Sequence, residues 1–166
     1  LLKYFEDKIS HIIFTSSVSV YGEDKRFKAV TISDRLRPST LYGLSKVICE
    51  QKITSSKIEK HSILRLSPVF DKNNKIDVKK RVYIPFFDSW KMLIMPSPKY
   101  SLTKIETLVE VVLKIIEHKK SKYNVYNIAD KNPYSQNELV GWFPGKKIVI
   151  PTFFIKPIYW LTYLLP

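Results

Sequence analysis

Phe14-Thr15-Ser16-Ser17-Val18-Ser19-Val20-Tyr21-Gly22, followed after a polar loop by Pro38-Ser39-Thr40-Leu41-Tyr42-Gly43-Leu44-Ser45-Lys46, decides how this chain reads. Ile12, Ile13 and Phe14 form the continuous apolar run of a strand buried on both faces, predicted over His11 to Val18. The run ends in serines, and open α/β sheets place ligands beyond the carboxyl ends of their strands. Pro38 and Ser39 mark the start of a helix, with Ser39 as its cap, running to about Lys57. Leu44, Val47, Ile48 and Ile53 recur at helical spacing, so they are expected to face the sheet.

On that helix Tyr42 and Lys46 stand at i and i+4, one above the other on one face. An ammonium beside a phenol favours the phenolate, which draws an ordinary phenol pKa of about 10 towards neutrality. A tyrosine tuned this way accepts a proton from a hydroxyl or donates one to a carbonyl. A serine at a neighbouring strand end can hydrogen-bond the same oxygen. This is the acid–base half of an alcohol/ketone interconversion. The hydride half is supplied by no side chain and implies a nicotinamide cofactor. Periodicity alone fits equally well a half-buried helix tyrosine beside a surface lysine. The serine cluster by itself also fits a strand end satisfying its own backbone.

The serines followed by Val20-Tyr21-Gly22, then Tyr42-Gly43-Leu44-Ser45-Lys46, resemble the extended short-chain dehydrogenase/reductase superfamily. The nearest branch is the NAD-dependent epimerase/dehydratase family acting on nucleotide sugars. The loop Val30-Thr31-Ile32-Ser33-Asp34-Arg35-Leu36-Arg37-Pro38 and the strand Ile63-Leu64-Arg65-Leu66-Ser67-Pro68-Val69-Phe70 resemble family segments in the same order. Ser33 and Asp71 depart from it, standing where an acidic residue and a glycine are common.

The resemblance implies Ser17, Tyr42 and Lys46 as catalytic residues. It places Ser16, Tyr42, Lys46 and Pro68 at the cofactor, NAD or NADP. It puts Ser17 and Ser19 at a nucleotide-sugar substrate, with Arg81 a candidate partner for its diphosphate. The reaction would be epimerisation, dehydration or reduction. The superfamily's glycine-rich phosphate turn has no counterpart, because the four glycines, Gly22, Gly43, Gly141 and Gly145, are scattered. Residues 1–9 read as the end of a helix without a cap, so the chain is expected to be the C-terminal part of such an enzyme and to bind the dinucleotide poorly by itself. The competing reading is a non-catalytic relic or interaction module.

The expected architecture is therefore α/β: a partial Rossmann-like, doubly wound parallel sheet lacking its N-terminal dinucleotide-binding half, plus a small C-terminal substrate lobe. Residues 1–70 would carry the sheet and the Ser/Tyr/Lys site. Residues 71–166 would carry the substrate lobe, the sheet edge and an apolar tail, all within one compact unit. Residues 71–80 read as a mobile loop. The aromatics Tyr83, Phe86, Phe87 and Trp90 read mainly as core. Thr103 to His118 is expected to be a strongly amphipathic helix with Ile105, Leu108, Val109, Val112, Leu113 and Ile116 on one face. A strand at 123–128, a helix from Gln136 to Phe143 capped by Ser135, and a strand at 146–150 follow. Long helices of this kind suit a helix-paired homodimer.

Composition narrows the alternatives. The formal charge is +13, which raises nucleic-acid binding. Its lysines are spread along the chain without a dense block and far outnumber the arginines, the residues best suited to phosphate forks and base edges. A solvated lysine surface is preferred over a nucleic-acid face. One cysteine, Cys49, excludes an internal disulfide and reads as a small buried residue. His11, His61 and His118 lie at element edges, read as surface or capping residues, and suggest no metal site. No signal peptide is visible, which leaves a cytoplasmic location as the default. Residues 151–166 are apolar but too short for a regular membrane-spanning helix. Peripheral membrane contact by this tail is the less favoured reading.

Overall fold

The computed structural model describes residues 2–5, 7–22, 29–117 and 123–153. The chain begins with α1 (Leu2–Phe5), β1 (His11–Ser17), a 3-10 turn (Val18–Tyr21), α2 (Leu41–Thr54), β2 (Lys60–Leu66) and β3 (Val69–Phe70). It continues with α3 (Ile76–Lys79), β4 (Tyr83–Ile84), β5 (Phe87–Met95), β6 (Lys99–Tyr100), β7 (Thr103–Lys104) and α4 (Ile105–Glu117). It closes with β8 (Tyr123–Ile128), β9 (Tyr134–Ser135), α5 (Gln136–Gly141) and β10 (Lys146–Pro151). These form two units, Leu1–Val69 with Thr103–Ala129, and Phe70–Leu102 with Asp130–Pro166. The chain leaves the first unit after Val69, and residues 103–129 return to it.

The first unit is built on a parallel sheet in the order β1-β2-β8. Parallel neighbours need long crossovers, and α2 and α4 lie in the two crossover segments. The central strand β2 is almost wholly buried, as expected for a strand covered on both faces. The register aligns Ser16 with Arg65, and Arg65 with Asn127, so one polar row crosses all three strands near their carboxyl ends.

Helix α2 starts later than expected. Thr40, not Ser39, is the cap, its side-chain oxygen accepting from the Gly43 N–H at 3.0 Å. The inward face is also narrower. Val47 and Ile53 are buried, whereas Leu44, Ile48 and Cys49 are exposed. The reason lies in Gly43 and Glu50, which are buried on that same face. A glycine and a charged residue take inward positions that an apolar pattern assigns to Leu44 and Ile48. Among the described residues of α4 none is buried, although its apolar residues fall on one side as expected.

The second unit has its own core of Phe70, Val78, Val82, Tyr83, Leu102 and Leu139 with neighbouring residues. Its main sheet runs β10-β5-β4, with β10 parallel and β4 antiparallel to β5. Buried Gln136 satisfies both ends of its amide there: Oε1 accepts from the Ile94 N–H at 2.7 Å and Nε2 donates to the Arg81 carbonyl at 2.9 Å. Ser135 caps α5 as expected. Lys91 Nζ donates to the Val140 and Phe143 carbonyls at the other end of that helix, where the dipole favours a cation.

Three readings change, two of them in this unit. Residues 71–80 contain a helical turn, α3, preceded by a loop in which the Asp71 carboxylate accepts from the Asn73 and Asn74 amides. Of the four aromatics only Tyr83 is core; Phe86, Phe87 and Trp90 are exposed. Phe86 sits in the turn between β4 and β5 with φ 70°, and Phe87 directly after it, so both lie at the exposed tip of the hairpin. His61, read as an edge residue, is buried in β2 instead. His118 and most of the apolar tail lie outside the described residues. Among the described residues no helix is long and apolar enough to cross a membrane.

Candidate functional site

The carboxyl end of β1 and the first turns of α2 meet in the first unit. Gly43 permits the meeting. A Cβ there would lie 2.7 Å from the Ser19 carbonyl oxygen, so only glycine lets the helix approach the turn this closely. Gly22 ends the turn at φ +84°, a backbone state that side chains rarely adopt, with the Arg37 carbonyl packed where a side chain would begin.

Tyr42 and Lys46 lie one turn apart on α2, with Lys46 Nζ 5.6 Å from the Tyr42 ring centroid. The same ammonium donates to the Thr15 carbonyl at 2.9 Å and lies 5.0 Å from the Phe14 ring. The lysine thus ties the helix to the strand end that carries the serines. Tyr42 is 57% exposed, and its ring opens to solvent.

Ser17 caps the 3-10 turn. Its Oγ accepts from the Ser19 amide at 3.2 Å and from the Ser19 hydroxyl at 2.8 Å. A hydroxyl has two lone pairs and one proton. With both lone pairs used by Ser19, the proton is the bonding capacity Ser17 has left to offer an incoming oxygen. Ser17 and Tyr42 are brought to the same corner of the unit by their elements, but no hydrogen bond joins them directly among the described residues.

Ser16 points the other way. It is buried and donates to Glu50 Oε1 at 2.6 Å. Pro68 follows β2, and its carbonyl accepts from the Thr103 N–H at 3.0 Å. Beside it the buried Ser67 and Thr103 hydroxyls share a hydrogen bond of 2.8 Å, and Thr103 donates on to the Ile128 carbonyl. Arg81 belongs to the second unit. Its guanidinium donates to the Asp77 carbonyl and lies 5.7 Å from the Tyr100 ring.

A buried polar network beneath the serines was not assigned from the sequence. Glu50 and Arg65 form an ion pair of 2.7 Å with both side chains almost fully buried. Arg65 Nε reaches both carboxylate oxygens, at 3.1 and 3.3 Å, and Nη1 donates to the Tyr21 hydroxyl at 2.8 Å. Tyr21 donates to Asn127 Oδ1 at 2.6 Å, and Asn127 Nδ2 donates to the Val30 carbonyl at 3.2 Å. Burial by itself lowers the pKa of Arg65, but hydrogen bonds to Glu50 and Tyr21 outweigh it and leave it raised. A signal was present: Arg65 interrupts an apolar strand, and a charge buried there requires a partner. Nothing local in the sequence says that the partner is Glu50.

Against known proteins, the family described as RmlD substrate binding domain matches residues 4–141. No curated protein matches. Among solved structures, UDP-glucuronic acid 4-epimerase from Bacillus cereus in complex with NAD is similar at 22% identity and a TM-score of 0.69, over 91% of this chain and 53% of that one. The UDP-Glc/GlcNAc 4-epimerase from Campylobacter jejuni is similar at 16% identity and a TM-score of 0.70, over 90% of this chain and 55% of that one. ADP-L-glycero-D-manno-heptose-6-epimerase from Helicobacter pylori is similar at 21% identity and a TM-score of 0.66, over 90% and 51%. The chain therefore spans about half the length of these structures, and at such identities the likeness is one of fold.

Proposed function

Because this chain belongs to the RmlD substrate binding domain family, we propose that it carries the acid–base centre of an NAD(P)-dependent enzyme acting on a nucleotide sugar. The observation that carries this reading is the lysine anchor. Lys46 is held by the Thr15 carbonyl at the serine-bearing strand end while its charge stays beside the Tyr42 ring. Those contacts fix a positive charge beside the ring, and the exposure of Tyr42 leaves it open to substrate, which are the two things an acid–base tyrosine needs.

The residues divide the work as follows. Tyr42 takes the proton from a sugar hydroxyl as that carbon is oxidised to a carbonyl, and returns it in the reverse direction. Lys46 stabilises the phenolate that Tyr42 must be before it takes that proton and becomes again once it returns it. Ser17 donates its free proton to the reacting sugar oxygen and holds it in line. Ser19 keeps Ser17 in that orientation through its amide and hydroxyl.

The residues present fit the nicotinamide end of the cofactor. Lys46, Tyr42 and the backbone at Pro68 lie near the carboxyl ends of parallel strands, the edge at which such sheets bind ligands. When bound, the cofactor takes up or gives back the hydride. The four scattered glycines hold no phosphate turn, so nothing in this chain is assigned to the diphosphate.

Tyr42→Phe in the protein expressed from its natural gene tests the assignment. The variant should fold normally and lose at least about 100-fold in kcat, the scale of a missing acid–base group. Turnover like that of the unsubstituted protein would refute the role of Tyr42.

A further inference from the structure

We propose that Arg65 acts as a positioning residue that sequesters the Glu50 carboxylate, so that the charge of Lys46 remains available to Tyr42. The inference rests on the catalytic reading above for its purpose, but it concerns an electrostatic arrangement that can be measured without turnover.

Tyr42, Lys46 and Glu50 are spaced at i, i+4 and i+8 on α2, a single row along one helix face. A glutamate four residues from a lysine is placed to pair with it. Such a pairing would offset the ammonium that lies 5.6 Å from the phenol ring. In this structure the carboxylate is turned away. Oε1 accepts from Ser16 at 2.6 Å and from Arg65 Nε at 3.1 Å, while Oε2 accepts from Arg65 Nη2 at 2.7 Å and Nε at 3.3 Å. A carboxylate has about four lone-pair sites, and three donor hydrogens meet it here, the one on Arg65 Nε shared between both oxygens. Lys46 meanwhile spends a proton on a neutral carbonyl, that of Thr15.

A buried ion pair is a weak device for stability, because desolvation offsets most of the Coulomb attraction and an apolar pair of similar volume often serves as well. Its position is more telling than its strength. Arg65 lies in register with Ser16 on one side and Asn127 on the other. It holds Glu50 with one edge of its guanidinium and Tyr21 with the other. The fork therefore fixes the glutamate, the strand end before Ser17 and the turn after it as one block.

The experiment follows the Tyr42 phenol by NMR, with ring-labelled tyrosine in the chain and the signal assigned by its loss in Tyr42→Phe. In Arg65→Met the released carboxylate turns to Lys46, and the Tyr42 signal's midpoint moves to higher pH, the direction expected for partial loss of one positive charge near the phenol. Adding Glu50→Met removes the carboxylate, and the midpoint returns to that of the unsubstituted chain. A folded Arg65→Met with an unmoved midpoint, or a shift that Glu50→Met does not reverse, overturns the proposal. If Arg65→Met fails to fold, Arg65→Lys takes its place, because it keeps a counter-charge but grips one carboxylate oxygen where the fork grips two. A smaller upward shift is expected there, reversed by Glu50→Met in the same background, and no shift again overturns the proposal. Failure here with Tyr42→Phe still inactive rejects the positioning role alone. Full turnover in Tyr42→Phe rejects the catalytic reading, whatever the midpoints show.

Discussion

Replacing Gly43 by alanine should destabilise the chain, although alanine is the better helix former. In a helix interior the change from glycine is favourable by roughly 0.8–1 kcal/mol. At Gly43 the new Cβ would stand 2.7 Å from the Ser19 carbonyl oxygen and 3.1 Å from Pro38 Cβ. Carbon–oxygen contacts of this kind settle at about 3.3–3.6 Å, so α2 and the turn after β1 must part by roughly half an ångström or more. The nearest obstacle is backbone and cannot swing aside as a side chain would. Overpacking of this sort costs about 1–3 kcal/mol, and the movement also strains the Thr40 cap on the Gly43 amide. Set against each other these two effects leave a net loss of up to about 2 kcal/mol, and the strained cap adds to it. Gly141 supplies the internal control. It too lies in a helix, but a Cβ there meets nothing within 4 Å. Gly141→Ala should therefore gain up to about 1 kcal/mol. Urea unfolding followed by far-ultraviolet circular dichroism measures both. A Gly43→Ala chain as stable as the unsubstituted one would show that the close approach of helix and turn is not a constraint.

Two further outcomes follow from other parts of the fold. Burial holds both His11 and His61 below their ordinary value of 6.5, with Lys60 adding to the effect at His11 and His11 adding to it at His61. The unfolded chain then binds protons that the folded chain refuses as pH falls below about 6.5, so stability declines towards acid by up to about 1.4 kcal/mol per pH unit for each histidine. The melting temperature should drop between pH 7.5 and 5.5, and the drop should shrink in His61→Gln; an equal drop in the variant argues that other groups cause it. In the β4–β5 hairpin, Phe86 adopts φ 70° with a fully exposed ring. Phe86→Gly relieves the left-handed backbone and removes no packing, so stability should change by less than about 1 kcal/mol in either direction; a larger loss in urea unfolding would reveal packing of the ring.

Much of the fold could be read from local pattern. The strand at 11–17, the Ser135 cap and the strands at 123–128 and 146–151 announce themselves within a few residues. The Tyr42–Lys46 pair is equally local, because a helix places i and i+4 together whatever surrounds it. The misreadings share a cause. Leu44, Ile48 and Cys49 look inward by periodicity, yet α2 turns Gly43, Val47 and Glu50 to the sheet instead. Apolar spacing describes a face of the helix; it does not know that a buried arginine waits on β2.

The strand periods, the Ser135 cap and the order of the serine, tyrosine and lysine segments were settled by the amino-acid sequence itself, since each depends on neighbours along the chain. The tertiary structure alone decided that Glu50 meets Arg65, that Tyr21 completes the guanidinium's contacts, and that Lys46 is anchored on the Thr15 carbonyl. Those partners are 15 to 44 residues apart in sequence, and charge does not choose a partner by sequence distance. It is paired where burial removes water and the fold brings a compensating group within reach, as α2 brings Glu50 to Arg65.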